Sequence, residues 1–501
     1  MIHKRSSLYC AGVLMLVIAC KGGGTAAKTT ATGGATSATG GSSGSAGGAG
    51  ATGGTTDATG GSSATSPTGG TPWSTGGAPG AGGAGIPATI SAFAAQPVAI
   101  EAGESSTLSW TTAGATTLSI DQGVGSVLGK DSQVVTPTQT TTYTLTLNGS
   151  ISMSTTVTVL NGVFVATGSM TVCRYAHTAS LLQDGRVLVT GGYVSGSSGQ
   201  PVASAELYDP FTGTFVPTGS MTAGRQGHSA TLLPNGMVLI AGGNGGYGIN
   251  QLATTELYNP STGVFSPAGS MLVAQTAPAT LLQNGSVLIA DGWGGNAYVM
   301  ISELYDPVLG TFRASGSMNK ARDSSQPTML LDGRVLFSGG RSNGRQDPTV
   351  ELYDPVTETF SLTGSLTMAR CTHTATLLPG GNVLVAGGQG DTFLASAEIY
   401  DPLVGKWSAT GNMTIERLEH TATPLPNGKV LIAGGLGLTG RDLSSAEMYV
   451  PSSGTFTATG SLTVPRTGAT ATLLLNGEVL VAGGDGCLVN SGGPATAELY
   501  E

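Results

Sequence analysis

Residues 218–267 read TGSMTAGRQGHSATLLPNGMVLIAGGNGGYGINQLATTELYNPSTGVFSP, and variants of this stretch occur seven times between residue 167 and residue 501. The copies align on the glycine pair that closes the second apolar run: Gly191-Gly192, Gly242-Gly243, Gly339-Gly340, Gly387-Gly388, Gly434-Gly435 and Gly483-Gly484. Asp291-Gly292 holds that place in the third copy, and successive copies are 47 to 51 residues apart. A self-similar period of about 50 residues marks a repeat architecture whose units bury their apolar faces only by stacking.

Each unit has the same internal order. TGSM or a variant comes first, then an Arg, then a run such as HSATLL, a turn, and a run such as VLIAGG. The turns are Asp184-Gly185, Asn235-Gly236, Asn284-Gly285, Asp332-Gly333, Gly380-Gly381, Asn427-Gly428 and Asn476-Gly477. Asn-Gly and Asp-Gly are the favoured pairs of two-residue type I′ hairpin turns, so each unit is expected to hold a hairpin of that kind. ELYDP or a variant then supplies a third strand, and a segment such as Thr214-Phe215-Val216-Pro217 a fourth. Four antiparallel strands per unit make a propeller blade. The apolar runs do not alternate, as expected of strands covered on both faces by neighbouring blades.

The glycine pair, the Tyr of ELYDP (Tyr208, Tyr258, Tyr305, Tyr353, Tyr400, Tyr449, Tyr500) and the fourth-strand aromatic (Phe215, Phe265, Phe312, Phe360, Trp407, Phe456) resemble kelch repeats. The fold class expected is all-β, a seven-bladed kelch-type propeller over residues 161–501. The seventh unit reaches Glu501 just after its third strand, while Gly162-Val163-Phe164-Val165 matches Gly213-Thr214-Phe215-Val216. That N-terminal segment is expected to complete the last blade and close the ring, which removes two sheet edges.

Three segments precede the repeats. Residues 1–20 have a positive start at His3, Lys4 and Arg5 and an apolar run from Leu8 to Ala19, too short to span a bilayer. Val17-Ile18-Ala19-Cys20 resembles a bacterial lipobox, which implies cleavage before Cys20, a lipid on its sulfur, and a place in the bacterial cell envelope at the outer membrane or cell surface. Residues 21–86 are almost wholly Gly, Ala, Thr and Ser. So few apolar groups do not offset the ordering entropy, and the segment is expected to be a flexible tether with a reach on the order of 45 Å. Residues 87–160 read as short alternating strands. GESSTLSW followed by TPTQTTTYTLTL resembles a small immunoglobulin-like sandwich, with Trp110 and Tyr143 in its core.

The formal charge of −9 is diffuse and carries no basic cluster, which argues against a nucleic-acid partner. A monomer is expected. No CxxC or Cys/His metal spacing occurs, and neither a cofactor nor a metal is called for. Ring closure brings Cys173 and Cys487 to one face, where a disulfide is the hypothesis.

Strand direction sorts the loops. The hairpin and DPxTG turns share one face of the disc; the TGSM connections and the variable loops after the glycine pair share the other. Arg174, Arg225, Arg322, Arg370, Arg417 and Arg466 lie on this loop face, with Gln275 in the third unit. Arg174, Arg225, Arg370 and Arg417 are candidates for a cationic ring that takes an anionic ligand. The alternative is a set of structural ion pairs, because Glu206, Glu256, Glu303, Glu351, Glu398, Glu447 and Glu498 recur in step. His177, His228, His373 and His420 share one repeat position, which strand packing explains better than a metal. Tyr193, Tyr247, Trp293, Tyr298 and Phe393 occupy no repeat position and are the candidate ligand-binding aromatics. The reading is a non-catalytic, surface-tethered module that binds a protein or glycan through the loop face. The kelch resemblance also implies an alternative, a galactose-oxidase-like or other carbohydrate-modifying enzyme, although no Tyr-Cys pair of that kind can be placed on a motif here.

Overall fold

The computed structural model describes residues 87–194, 200–246, 250–485 and 495–501. The leader, Cys20 and the tether lie outside the described residues, as do Tyr247 and Cys487. The disulfide hypothesis therefore lies outside them too; Cys173 is a half-buried free thiol, pushed up to about 11 by burial and then by the charge of Asp485.

Seven four-stranded antiparallel sheets form the propeller. In the first blade the strands run outward as Thr178–Leu181, Val187–Thr190, Ala205–Asp209 and Thr214–Pro217. The second strand is buried along its whole length in every blade, as VLVT here and VLIA in blade two. The reason is stacking. Leu188 and Leu207 of blade one share a core cluster with Val238, Ile240 and Tyr258 of blade two, and equivalent clusters recur round the disc.

The ring closes as the sequence implies. Phe164–Ala166 pairs antiparallel with Ala497–Tyr500, with Tyr500 opposite Phe164 and Glu498 opposite Ala166. The Phe164 ring lies 5.0 Å from that of Tyr500, close to the 4.8 Å between Tyr208 and Phe215 in blade one. The innermost strand of blade one lies beside that of blade seven.

The hairpin turns differ from expectation. Gly185 has φ +87°, but Asp184 does not enter the left-handed region. Gly185 N–H donates to Leu182 O, and Leu182 N–H to Arg186 O. This is a three-residue loop ending in a left-handed Gly, not a two-residue type I′ turn. The Asp or Asn before the Gly serves another purpose. Its Oδ1 accepts the N–H two residues on, 3.1 Å from Arg186 N and 3.1 Å from Met237 N. That side-chain bond explains Asx at this position without any need for positive φ.

Residues 87–160 form a two-sheet module. One sheet orders Thr89–Gln96, Ser106–Ala113 and Ser132–Val135; the other contains Ile151–Leu160, Thr141–Leu147 and Leu118–Ile120. Trp110 and Tyr143 lie in its core, and Trp110 Nε1 donates to Lys130 O at 3.0 Å. The module meets the turn face of blades six and seven. Ala99 and Leu160 join the cluster of Leu425, Leu431 and Val479. Lys429 Nζ lies 2.7 Å from Glu101 Oε2 and 3.1 Å from Glu104 Oε1.

Candidate binding site at the loop face

The repeated arginines are wholly buried. Arg174 Nη1 donates to the carbonyls of Gly191 and Ser204, and Nη2 to Ser204 Oγ and, at 2.8 Å, to Glu206 Oε1. Arg225–Glu256, Arg322–Glu351, Arg370–Glu398, Arg417–Glu447 and Arg466–Glu498 repeat the pair at 2.7–2.9 Å. The other carboxylate oxygen accepts a backbone N–H, as Glu206 Oε2 does from Thr171. Each guanidinium thus ties the entry of the innermost strand to the top of the two strands behind it. The candidate ligand ring at Arg174, Arg225, Arg370 and Arg417 is corrected accordingly: with side chains at 0 % exposure, these cations have their partners inside the blade.

The histidines link blades. His228 Nε2 lies 2.9 Å from Thr178 Oγ1 and 3.0 Å from Thr190 Oγ1 of blade one. His420 reaches Thr374 of blade five, and His177 reaches Thr470 of blade seven across the closure. Burial, then the neighbouring arginine, pulls His177, His228 and His373 down to about 3, so all three are neutral at ordinary pH.

The described candidate aromatics are all half-buried and are spread over blades one, three and five. Tyr193 packs edge-on against Tyr175 at 5.2 Å. Trp293 and Tyr298 face each other at 5.1 Å across a two-stranded loop, and the Tyr298 hydroxyl accepts Gly344 N–H from the next blade. Phe393 bridges to Gln389 in blade five.

Blade three breaks the repeat at four linked places. Gln275 replaces the arginine, and its Oε1 and Nε2, both buried, have no hydrogen-bond partner. Glu303 consequently lacks a cation; it accepts only the N–H groups of Leu272 and Val273, and burial pushes its carboxyl up. Ala268 replaces the Thr whose hydroxyl meets the tyrosine in blade two, which leaves the Tyr305 hydroxyl without a partner. Finally, Pro278 stands where blade two has His228, and Ser325 takes that place in blade four.

The last exchange is coupled to Asp291. A Cβ built on Gly191 would lie 2.6 Å from His228 Cε1, and one on Gly387 2.8 Å from His420 Cε1, so an imidazole here needs a glycine opposite it. Between blades three and four the imidazole is gone and an aspartate takes the glycine's place. Asp291 Oδ2 accepts Ser325 N–H at 3.0 Å and Ser325 Oγ–H at 2.7 Å, whereas Oδ1 has no partner. Asp291 keeps the left-handed backbone of the glycine, φ +66°, and is 1 % exposed. Burial raises its carboxyl to about 7.

Two consecutive missing imidazoles open the mouth of the central channel. A cavity of about 240 Å³ lies there, bounded by the entries of the inner strands of blades one to four, with Ala176, Gly227, Pro278, Ser324, Gln326 and Asp291 among its walls. In the sequence the signals are Asp291, Gln275, Pro278 and Ser325 as departures from the repeat. That Asp291, Pro278 and Ser325 share one cavity depends on ring geometry.

The buried carboxyl makes stability depend on pH. The unfolded Asp291 ionises near its ordinary 3.8, and the folded one near 7. Between those values the folded state holds the proton and the unfolded state does not, so stability falls as pH rises from about 4 to about 7. Asp291→Asn keeps an acceptor for Ser325 and tolerates positive φ. It should match the parent near pH 4 and exceed it at pH 8 by an amount on the order of 3–4 kcal/mol, read from denaturant unfolding. Equal gains at both pH values would mean that the carboxyl charge is not the cause. Gln275→Arg should restore the pair with Glu303 and add about 1–3 kcal/mol at neutral pH, seen as a raised unfolding temperature.

Comparison with known proteins agrees with this architecture. A Kelch motif matches residues 370–414. No curated protein sequence matches the chain. Among solved structures, a fungal alcohol oxidase of the AA5 family in complex with copper is similar at 18% identity and a TM-score of 0.56, over 68% of this chain and 76% of that one. YjhT is similar at 13% identity and a TM-score of 0.46, over 58% of this chain and 98% of that one. The chain has the fold of a kelch-type β-propeller.

Proposed function

We propose that this chain is a non-catalytic binding module that recognises a protein or glycan through its loop face, held at a bacterial surface by a lipid on Cys20 and the tether that follows. One observation carries the reading: Asp291, Pro278 and Ser325, three departures from the repeat, line the cavity at the channel mouth, and Asp291 Oδ1 is buried there without a partner. A rigid scaffold with variable loops on one face suits recognition. The aromatics Trp293 and Tyr298 flank this sector and would supply contact area. The sandwich meets the opposite, turn face, so its contacts leave the loop sector of blades one to four uninvolved.

The test is capture by the full chain on a glycan array and from envelope extract, with two matched variants. Trp293→Ala/Tyr298→Ala should abolish capture, and Phe211→Ser, at a fully exposed turn-face position, should retain it. Capture unaffected by the loop-face pair would refute the reading. Copper uptake with peroxide release on galactose would replace it with an oxidase.

A further inference from the structure

The propeller pairs its buried carboxylates with arginines wherever the repeat is intact, and blade three breaks that rule beside an open cavity. We propose that the channel-mouth cavity binds an alkylammonium group, the side chain of a lysine on a protein partner, with Asp291 Oδ1 as its anchoring acceptor. This rests on the reading of the loop face as a binding surface and names the chemistry of that surface.

Four observations carry it. Asp291 Oδ1 is buried and has no partner, whereas Oδ2 is fully used by Ser325. A single free oxygen suits a point donor such as ammonium; a guanidinium fork prefers both oxygens of a carboxylate. The rim is apolar at Ala176, Ala277 and Pro278, as a methylene stem requires. At about 240 Å³ the cavity is below the roughly 300–1,000 Å³ of sites for drug-sized ligands, a fit for one side chain.

The charges around the cavity permit a cation. The guanidinium of Arg322 is engaged by Glu351, and that of Arg341 by Asp323 at 3.0 Å. His177 and His228, on the far wall, are neutral. The carboxylate of Asp323 adds negative potential and is one cause of the raised Asp291 carboxyl. Asp291 also occupies a left-handed backbone conformation that the other six blades give to Gly. Strain and an unpaired buried acid at one residue mark a position held for something other than stability.

The experiment is titration of the full chain with Nα-acetyl-lysine methylamide, followed by calorimetry and by Trp293 fluorescence. Asp291 must ionise to accept the ammonium, and lysine stays protonated to about pH 10. Affinity should therefore rise about tenfold between pH 6 and pH 8, as a carboxyl titrating near 7 requires. The Nε-acetyl derivative should not bind, and Asp291→Asn should weaken binding at least about tenfold. Ala277→Phe, which fills the cavity from its rim and leaves Asp291 intact, should also abolish it. Absence of amine binding, or binding that ignores pH and Asp291→Asn, overturns the proposal. So does a neutral sugar that binds more tightly at pH 6. Partner capture that depends on Trp293 and Tyr298 but survives both cavity variants would overturn this inference and leave the loop-face reading in place; loss of all capture specificity would remove both.

Discussion

Phe164→Ala lowers stability by about 3–5 kcal/mol, the range for truncating a buried phenylalanine, and the loss appears across the whole propeller. Phe164 is only 7 % exposed and packs on Tyr500, in the strand that completes blade seven. Without it, the outer strand of that blade loses its anchor and Ala497–Tyr500 becomes a sheet edge. Deletion of residues 161–169 should have a larger effect, with a sharply lower unfolding temperature. The point variant is the cleaner test because the connection to the sandwich is retained. A Phe164→Ala protein that unfolds at the parental temperature would show that the closure contributes little.

Arg417→Ala should cost about as much, for a different reason. The guanidinium is buried and makes bonds to Gly434 O, Ser445 O, Ser445 Oγ and Glu447 Oε1. Removal leaves Glu447 buried without its cation, and breaking such a pair from one side costs about 3–5 kcal/mol. Replacing both partners, Arg417→Met with Glu447→Leu, should recover much of the loss because no charge is then stranded. Chemical denaturation of the two single variants and the double gives the coupling directly. An Arg417→Ala protein of parental stability that no longer binds a ligand would return the arginines to the ligand-facing role that burial argues against.

Much of the fold was legible because repetition supplies its own alignment. Aligned on one another, the seven copies show the tyrosine in all and the glycine pair and the Asx-Gly turn in six each, without any relative for comparison, and the match of 162–165 to 213–216 anticipates the closing strand. The arginine and glutamate recurring in step already suggested ion pairs, since a role tied to one ligand does not need nearly every blade. The turn type was less legible: Asn-Gly fits either hairpin loop, and only φ at Asp184 and the bond from Leu182 to Arg186 separate them.

A four-stranded unit, the number of its copies and their order are written in the chain itself, because turn chemistry and apolar runs are local properties. The location of the site is not local. Asp291, Gln275, Pro278 and Ser325 could be read as departures from a pattern, yet Asp291 and Ser325 are 34 residues apart and meet only because successive blades stack face to face. An imidazole needs a glycine opposite it across the junction, so an aspartate in the space that an absent imidazole leaves, and the cavity at the channel mouth, are consequences of packing between blades.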